Sequence, residues 1–354
     1  MEGLADLKYR GLAVEDKDWL TEVVNDPEAA EYALSVYPRT EHEVEEFVKK
    51  DIEDVETRHV VAELDGEPAG SADFWWRNVG RDRHVAWLGL FVRRKYWGKG
   101  VGSGLMIEVI RIAKELGFRR LVLGVFEGNE RALRLYKKFG FEDEACEHEE
   151  VFIDGSWRKS YIMGLDLAPC EPMYEPALVS QNRGHPKTRV THIKEFDIRH
   201  LGSRDLAEVN RLQNCLESTK SSYRVPPVSK EETKRWYERI NSEQRKYCLA
   251  CFKDNRLLGY LHFMAHILPF ANLRFEEIVV DANGEPCEAA ESLVAAIKSF
   301  RERYWYRRIF ATIPETGASI TAALEHNDFM KAGAVSSYYY IYGSYVDMAV
   351  YEYP

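Results

Sequence analysis

The feature that most restricts the fold of this chain is that it answers itself about 188 residues later. Arg10-Gly11-Leu12 with Asp18 is answered by Arg199-His200-Leu201 with Asp205, and Gly70 by Gly259, 189 residues on. Arg119-Arg120 returns as Arg307-Arg308, Phe141 as Phe329 and Gly155-Ser156 as Gly343-Ser344, each 188 later. An offset held this steadily marks one architecture used twice. Between the copies, residues Leu167 to His192 carry Pro169, Pro172, Pro176, Gly184 and Pro186, a composition that resists both helix and sheet. The expected division is therefore 1–166, a Pro-rich linker over 167–192, and 193–354, with both flanking parts of ordinary domain size.

Composition narrows the class. With 45% hydrophobic and 30% charged residues the chain reads as globular. No apolar run approaches the roughly 18 to 20 residues a membrane span needs. Met1-Glu2-Gly3-Leu4-Ala5-Asp6 has neither the basic flank nor the apolar stretch of a signal peptide. A cytoplasmic protein without membrane contact is expected. The net charge of -10 disfavours a nucleic-acid binder held by phosphate contacts. The six cysteines are scattered, as free thiols in a reducing compartment are. Cys248 and Cys251 spell C-x-x-C, but Tyr247 to Phe252 reads as a strand, where positions three apart face opposite ways. No metal site is expected.

The first part alternates strand and helix signals. Arg10–Val14 reads as a strand, followed by a helix through Leu20, Val23 and Val24. Val44, Phe47, Val48, Ile52 and Val55 recur at helical spacing and are expected to face inward. Val60–Leu64, an Asp65-Gly66 turn and Ala69–Trp75 form a hairpin signal. Val85–Val92 is a further strand, followed by a glycine-rich loop and a helix with Leu105, Met106, Val109, Ile112, Ala113 and Leu116 inward. A strand over Arg120–Phe126, a helix over Asn129–Phe139 and a closing strand over Tyr161–Leu165 complete the order β-α-α-β-β-β-α-β-α-β. The fold class is α/β (α+β), with the second part repeating this order.

The loop between the strand ending at Val92 and the next helix, Tyr96-Trp97-Gly98-Lys99-Gly100-Val101-Gly102-Ser103-Gly104, carries the chemistry. Glycines at 98, 100 and 102 remove side chains that would block a ligand, leaving successive backbone N–H groups free. At a helix N-terminus such donors, with the helix dipole, suit a pyrophosphate. A dinucleotide fingerprint would need a parallel βαβ unit, whereas a hairpin precedes this loop. A P-loop would end in Gly-Lys-Ser/Thr, which is absent.

Further on comes Asn129-Glu130-Arg131-Ala132-Leu133-Arg134-Leu135-Tyr136-Lys137-Lys138-Phe139-Gly140-Phe141. With this second motif in place, residues 8–166 resemble the GNAT superfamily of N-acetyltransferases. That family carries a Gln/Arg-x-x-Gly-x-Gly/Ala loop, then an Asn and a Tyr seven residues apart before Gly-Phe; Trp97 stands where Gln or Arg is usual. The resemblance implies two tandem GNAT-type domains, each a mixed, mostly antiparallel sheet flanked by helices, the first binding acetyl-CoA as co-substrate. It implies that the backbone of Leu90, Phe91 and Val92 pairs with pantetheine on a splayed fourth strand. It implies that Gly98, Lys99, Gly100, Val101, Gly102 and Ser103 cradle the pyrophosphate, that Asn129 bonds the pantetheine arm, and that Tyr136 protonates the departing thiolate.

The implied reaction moves an acetyl group to a primary amine: a small amine, an amino acid or a peptide amine. An amine of pKa about 10 must lose a proton before it attacks a thioester. The base is not evident: Val85–Val92 has no acid, the fifth-strand position is Gly124, and His84 and Glu127 are the nearest titratable groups besides a water relay. The acids of residues 41–56 (Glu41, Glu43, Glu45, Glu46, Asp51, Glu53, Asp54, Glu56) border the acceptor cleft in this family and would suit a cationic amine, or are a solvated helix face.

In the second copy, adding 188 maps Gly98 to Pro286, Gly100 to Glu288, Gly102 to Ala290 and Tyr136 to Leu324. Proline removes a donor and Glu288 sets a carboxylate against phosphate, so this copy is expected not to bind acetyl-CoA. Completing the acceptor groove, forming a homodimer and binding a regulator are its open roles. Tyr338 to Tyr345 is rich in tyrosine, which serves either core packing or a wet face for a partner. The rival reading of the whole is a non-catalytic acyl-CoA sensor or assembly module.

Overall fold

Side chains alternating across a pleated sheet, with one apolar stripe on each covering helix, account for the first half of the chain. The structure, a computed structural model, describes residues 7–30, 39–78, 80–153, 155–167, 196–243, 245–266 and 271–354. Past Leu167 the expected linker lies outside the described residues. The chain divides into two compact units. One takes Met1–Asn78, Asp82–Glu144 and Ile153–Glu171; the other takes Val79–Arg81, Ala145–Phe152 and Pro172–Pro354.

The first half runs β1 (Leu7–Arg10), α1 (Lys17–Asn25), α2 (Pro27–Ala30), α3 (Glu41–Glu53), β2 (Thr57–Leu64), β3 (Glu67–Trp75) and β4 (Val85–Val92). It continues through α4 (Val101–Glu115), β5 (Arg120–Phe126), α5 (Glu130–Lys138), β6 (Glu142–Ile153) and β7 (Ser156–Asp166). The first unit's strands lie in the order β1-β2-β3-β4-β5-β7. Neighbours are antiparallel except β4 and β5, which are parallel.

The sheet has two differently covered faces. Val60, Ala62, Phe74 and Leu88 pack under Leu105, Met106 and Val109 of α4, with Tyr136 of α5 in the same cluster. On the other face Val61 packs with Trp19, Leu20 and Val23 of α1 and Val44 and Val48 of α3.

Several expected boundaries shift, each for a local reason. The first strand is Leu7–Arg10 rather than Arg10–Val14, because Arg10 turns its guanidinium onto Asp16 at 2.7 Å from both carboxylate oxygens. Asp16 also accepts from the Ala13 N–H and the Trp19 indole, fixing the turn. Phe47, Ile52 and Val55 are exposed rather than inward, at 47%, 46% and 74%. The inward stripe of α3 is Val44, Val48 and then Asp51, while Val55 lies past the helix end. Leu116 likewise follows the last residue of α4 and is exposed.

Strand β6 has no counterpart in the expected order, because its acid-rich sequence shows no apolar alternation. Residues Ala145–Phe152 count with the second unit, where Glu147 and Glu150 both pair with Arg274, at 2.7 and 2.8 Å. Those ion pairs, rather than β propensity, fix the segment.

The second half runs β8 (Asp197–His200), α6 (Leu206–Gln213), α7 (Lys230–Ser242), β9 (Lys246–Lys253), β10 (Arg256–Ala265) and β11 (Asn272–Val280). Then follow α8 (Pro286–Tyr304), β12 (Arg308–Pro314), α9 (Ala318–His326), β13 (Met330–Ile341) and β14 (Ser344–Tyr353). Its strands order as β8-β9-β10-β11-β12-β14-β13, with β11 and β12 the parallel pair. Arg199 grips Asp205 at 2.7 and 2.8 Å, and Asp205 takes the Gly202 N–H. The counterpart of Asp205 is therefore Asp16, which makes the same contacts, and not Asp18. Cys248 and Cys251 are free and belong to the cores on opposite faces of the sheet. A register shift between Val335 and Tyr339 breaks the expected alternation, so that Tyr338 and Tyr339 are both buried.

Candidate active site

Parallel strands β4 and β5 pair only at the residues Val85, Ala86 and Trp87, opposite Arg120, Leu121 and Val122. Beyond Trp87 each strand keeps its other neighbour: β4 stays on β3 as far as Val92, and β5 stays on β7 as far as Phe126. The strands therefore part, and the backbone of Leu88–Val92 faces a slot on the β5 side. Leu90 and Val92 pack toward the α4 core, and Phe91 toward α1 and α3. These are the residues expected to pair with an extended pantetheine.

The slot leads to the glycine loop. Gly98 and Gly100 have φ of +77° and +83°, the left-handed region that glycine enters without cost. Gly100 is the N-cap of α4, and the first intrahelical bond donated is from the Gly104 N–H to the Gly100 carbonyl. The N–H groups of Val101, Gly102 and Ser103 thus lie in the first turn, where an α-helix offers donors without intrahelical partners. Gly102 is glycine for a different reason: a β-carbon there would stand 3.2 Å from Leu135 of α5. The three glycines are not three copies of one requirement.

Cations surround this turn. Arg131 stacks on Trp97 with its guanidinium 3.6 Å from the ring, and Lys138 reaches Ser103 Oγ at 3.3 Å. Lys95 and Lys99 lie over Tyr96. Trp97 itself donates its indole N–H to the Val92 carbonyl at 2.7 Å. The residue that departs from the family motif thus pins the loop to the end of β4 and leaves the backbone donors alone.

Asn129 accepts from the Ala132 N–H at 3.1 Å and so caps α5. Its carboxamide oxygen is engaged in the fold. Tyr136 is buried and tilts against Phe141, with ring centroids 5.8 Å apart. Burial, with the Asp73 charge nearby, pushes its phenol well above the usual range, so it is a neutral donor at any physiological pH.

The two titratable candidates for a base lie outside the strands, one before β4 and one after β5. His84 precedes the closed end of β4, roughly 16 Å along the strand from Gly89 at about 3.3 Å per residue, and its carbonyl accepts from Arg119 and Arg120. Glu127 is exposed and takes the Lys159 N–H at 3.4 Å.

The structure brings together three residues that the sequence reading left apart. His59, Asp73 and Gly89 are successive cross-strand partners on β2, β3 and β4. By the alternation that puts Ala72 and Phe74 under α4, this row faces α1 and α3. His59 Nε2 lies 2.7 Å from Asp51 Oδ2 on the inward stripe of α3. A β-carbon at Gly89 would stand 2.8 Å from Asp73 Oδ1, so the carboxylate lies over β4 where it leaves β5. Burial pushes the Asp73 carboxyl above the usual carboxylate range, with His59 drawing it down and Asp51 adding to the rise. The only sequence signal for Asp73 was an acid between the apolar Ala72 and Phe74 of β3.

The second unit shows the same parting of β11 from β12 after Arg274 and Phe310, but the opening is filled by its own chain. Ser221 Oγ donates to the Ile278 carbonyl on β11, and Thr316 Oγ1 donates to the Lys220 carbonyl. The row corresponding to His59, Asp73 and Gly89 is Cys248, His262 and Glu277. Glu277 is taken by Ser222 and Arg224. Burial pushes His262 down to about 3, so it is neutral. Pro286 stands at the start of α8, with Glu288 in its first turn. Among the described residues no group of side chains could hold a metal ion, and no helix is long and apolar enough to cross a membrane.

The profile of the acetyltransferase (GNAT) family matches residues 21–141. An L-amino acid N-acetyltransferase of Escherichia coli (strain K12) is 33% identical over 107 residues, covering 30% of this chain and 66% of the relative. A spermidine N(1)-acetyltransferase of the same organism is 28% identical over 168 residues, covering 46% of this chain and 87% of the relative. A solved GNAT-family acetyltransferase from Streptococcus pneumoniae is 27% identical, with a TM-score of 0.41, over 46% of this chain and 100% of that one.

Proposed function

We propose, from the match of residues 21–141 to the acetyltransferase (GNAT) family, that the first unit of this chain is an acyl-CoA-dependent acetyltransferase that transfers acetyl from acetyl-CoA to a primary amine. The observation that carries the reading is the parting of β4 from β5 in front of a glycine-capped helix N-terminus. Pantetheine lies along Leu90, Phe91 and Val92, and the pyrophosphate meets the N–H groups of Val101, Gly102 and Ser103 with Gly98, Lys99 and Gly100 shaping the turn. Arg131, Lys99 and Lys138 supply positive charge. Asn129 holds α5 in place through its cap and offers its NH2 to the arm.

The amine attacks the thioester carbonyl, forming the C–N bond, and the oxyanion is held by a β4 backbone N–H. As the C–S bond breaks, Tyr136 donates its proton to the thiolate. A thiol of pKa about 8.5 is a stronger acid than a phenol raised above about 10, so this transfer alone is uphill by roughly 2 kcal/mol or more. The proton leaving the cationic amide nitrogen restores Tyr136 and offsets that cost.

The acceptor is a small amine, in keeping with relatives named for spermidine and for L-amino acids. The second unit is a degenerate tandem copy of the first. Its strand order, its parting parallel pair and its Arg199–Asp205 grip support that reading, and the bond from Ser221 into the opening at Ile278 supports its not binding acetyl-CoA. The test is thiol release from acetyl-CoA with a panel containing spermidine, L-amino acids and peptide amines. Binding of acetyl-CoA without release from any member would replace the enzyme with an acyl-CoA sensor.

A further inference from the structure

The geometry points to Asp73 as the general base for the amine, with His59 beside it across the strands and Asp51 bonded to His59. This rests on the transferase reading above and adds the group that reading lacks. Four observations on the first unit carry it.

The first is place. Asp73 lies against Gly89, in the stretch where β4 has left β5 and its backbone faces the slot. A side chain at Gly89 would occupy the carboxylate's position, and glycine leaves that position to Asp73. The second is side. Tyr136 belongs to the core on the α4 face, whereas Asp73 faces α1 and α3. A thioester lying in the slot is thus met by a proton donor from one face and a carboxylate from the other. In the tetrahedral intermediate the new C–N bond and the breaking C–S bond are separate substituents of one carbon, so a base for the amine and an acid for the thiolate can approach from different sides.

The third is support. His59 pairs with Asp73 across the strands and is itself 2.7 Å from Asp51, whose helix is fixed by the packing of Val44 and Val48. The anchored imidazole keeps a fixed electrostatic influence on the carboxylate, drawing its pKa down against the rise from burial. The fourth is basicity. A desolvated carboxyl takes up a proton more readily than an exposed one, and Asp73 is shifted in that direction. The titratable groups facing it are His59 from β2 and Asp51 from α3, while its charge is also felt by Tyr136 of α5 from the other face; β4 offers only Gly89, and Glu22 of α1 is engaged with Arg93.

The step balances. The acceptor enters as an ammonium ion paired with the Asp73 carboxylate and gives it one proton, directly or through one water. The neutral amine attacks; its second proton leaves after C–N bond formation and restores Tyr136. Asp73 returns its proton to solvent. The net reaction is ammonium plus thioester giving amide, thiol and one proton.

The experiment uses the full chain and two kinds of nucleophile. The first kind is the alkyl amines of the panel, largely protonated at neutral pH; the second is hydroxylamine, which is largely neutral there. Asp73→Asn is expected to lower kcat/KM for the fastest alkyl amine by about 10²–10⁴-fold, with far less loss for hydroxylamine. Acetyl-CoA affinity by titration calorimetry should be unchanged. His59→Gln should lower the rate less and move the acid limb of the pH–rate profile, because it alters Asp73 without replacing it. If Asp73→Asn does not fold, that moved limb in His59→Gln carries the test. An equal loss for both nucleophiles, or unchanged rates with an unmoved limb, overturns Asp73 as base and leaves the transferase standing. A wild-type chain inert toward every amine defeats the transferase reading itself.

Discussion

Asp73 and Gly89 face each other across β3 and β4, and a β-carbon on Gly89 would come within 2.8 Å of Asp73 Oδ1. The pair makes a sharp demand on a single methyl group. In Gly89→Ala the carboxylate must turn away, while the glycine loop and the Tyr136 core are untouched. The expected outcome is a fall in kcat of roughly tenfold to a hundredfold, as for misplacement of a catalytic group by about 1 Å. Acetyl-CoA affinity should hold within about threefold. Steady-state kinetics beside titration calorimetry would show the split, and an unchanged kcat would mean that the carboxylate has no part in turnover.

The glycine loop was readable in the sequence because a φ above zero at a helix N-cap leaves a residue-type mark, and Gly98 and Gly100 bear it. The core helices were readable where apolar period and packing agree, as in α4. Phe47 and Ile52 of α3 shared the helical period but flank the stripe that Val44, Val48 and Asp51 turn inward, and period alone does not choose among neighbouring stripes. β6 was unreadable because ion pairs made by Glu147 and Glu150 hold it. Asp73 was unreadable for a related reason. Its meaning depends on which residues lie on the neighbouring strands, and cross-strand register is not written in local spacing.

The N-cap of α4 offers the next test. Gly100 has φ of +83°, and the donors of Val101, Gly102 and Ser103 follow it directly. Gly100→Glu adds both backbone strain and a carboxylate where phosphate charge would lie. Two unit charges about 4 Å apart cost roughly 4 kcal/mol at a protein-like dielectric, or about a thousandfold in affinity. Titration calorimetry is expected to show one equivalent of acetyl-CoA per chain in the wild type and none in Gly100→Glu. Two equivalents in the wild type would contradict the filled opening between β11 and β12.

Tyr136, the proposed acid, is buried against Phe141. Tyr136→Phe keeps the ring and its packing and removes only the hydroxyl. The expected result is a loss of about 10²-fold in kcat, with acetyl-CoA affinity nearly unchanged. Replacing the CoA thioester by an acyl donor with a better leaving group should recover most of the rate, since a stable leaving anion needs no proton. If that donor is slowed equally, Tyr136 acts in packing and not as the acid.

Asp73 also has a consequence for stability that runs opposite to its proposed effect on rate. Burial raises its carboxyl pKa in the folded chain. Below the unfolded value of about 3.9 the group is neutral in both states and costs nothing. As pH rises the unfolded chain ionises first, so stability falls until the folded carboxyl has also ionised, and the deficit then stays constant. Each unit of elevation corresponds to about 1.4 kcal/mol. Asparagine cannot ionise, so Asp73→Asn is expected to melt above wild type at pH 7. The gap should close as pH falls below about 4, as followed by thermal denaturation across that range. A variant less stable than wild type at pH 7 would show that His59 stabilises the Asp73 charge by more than burial and Asp51 oppose it, and that the carboxylate is a structural ion rather than a strained base.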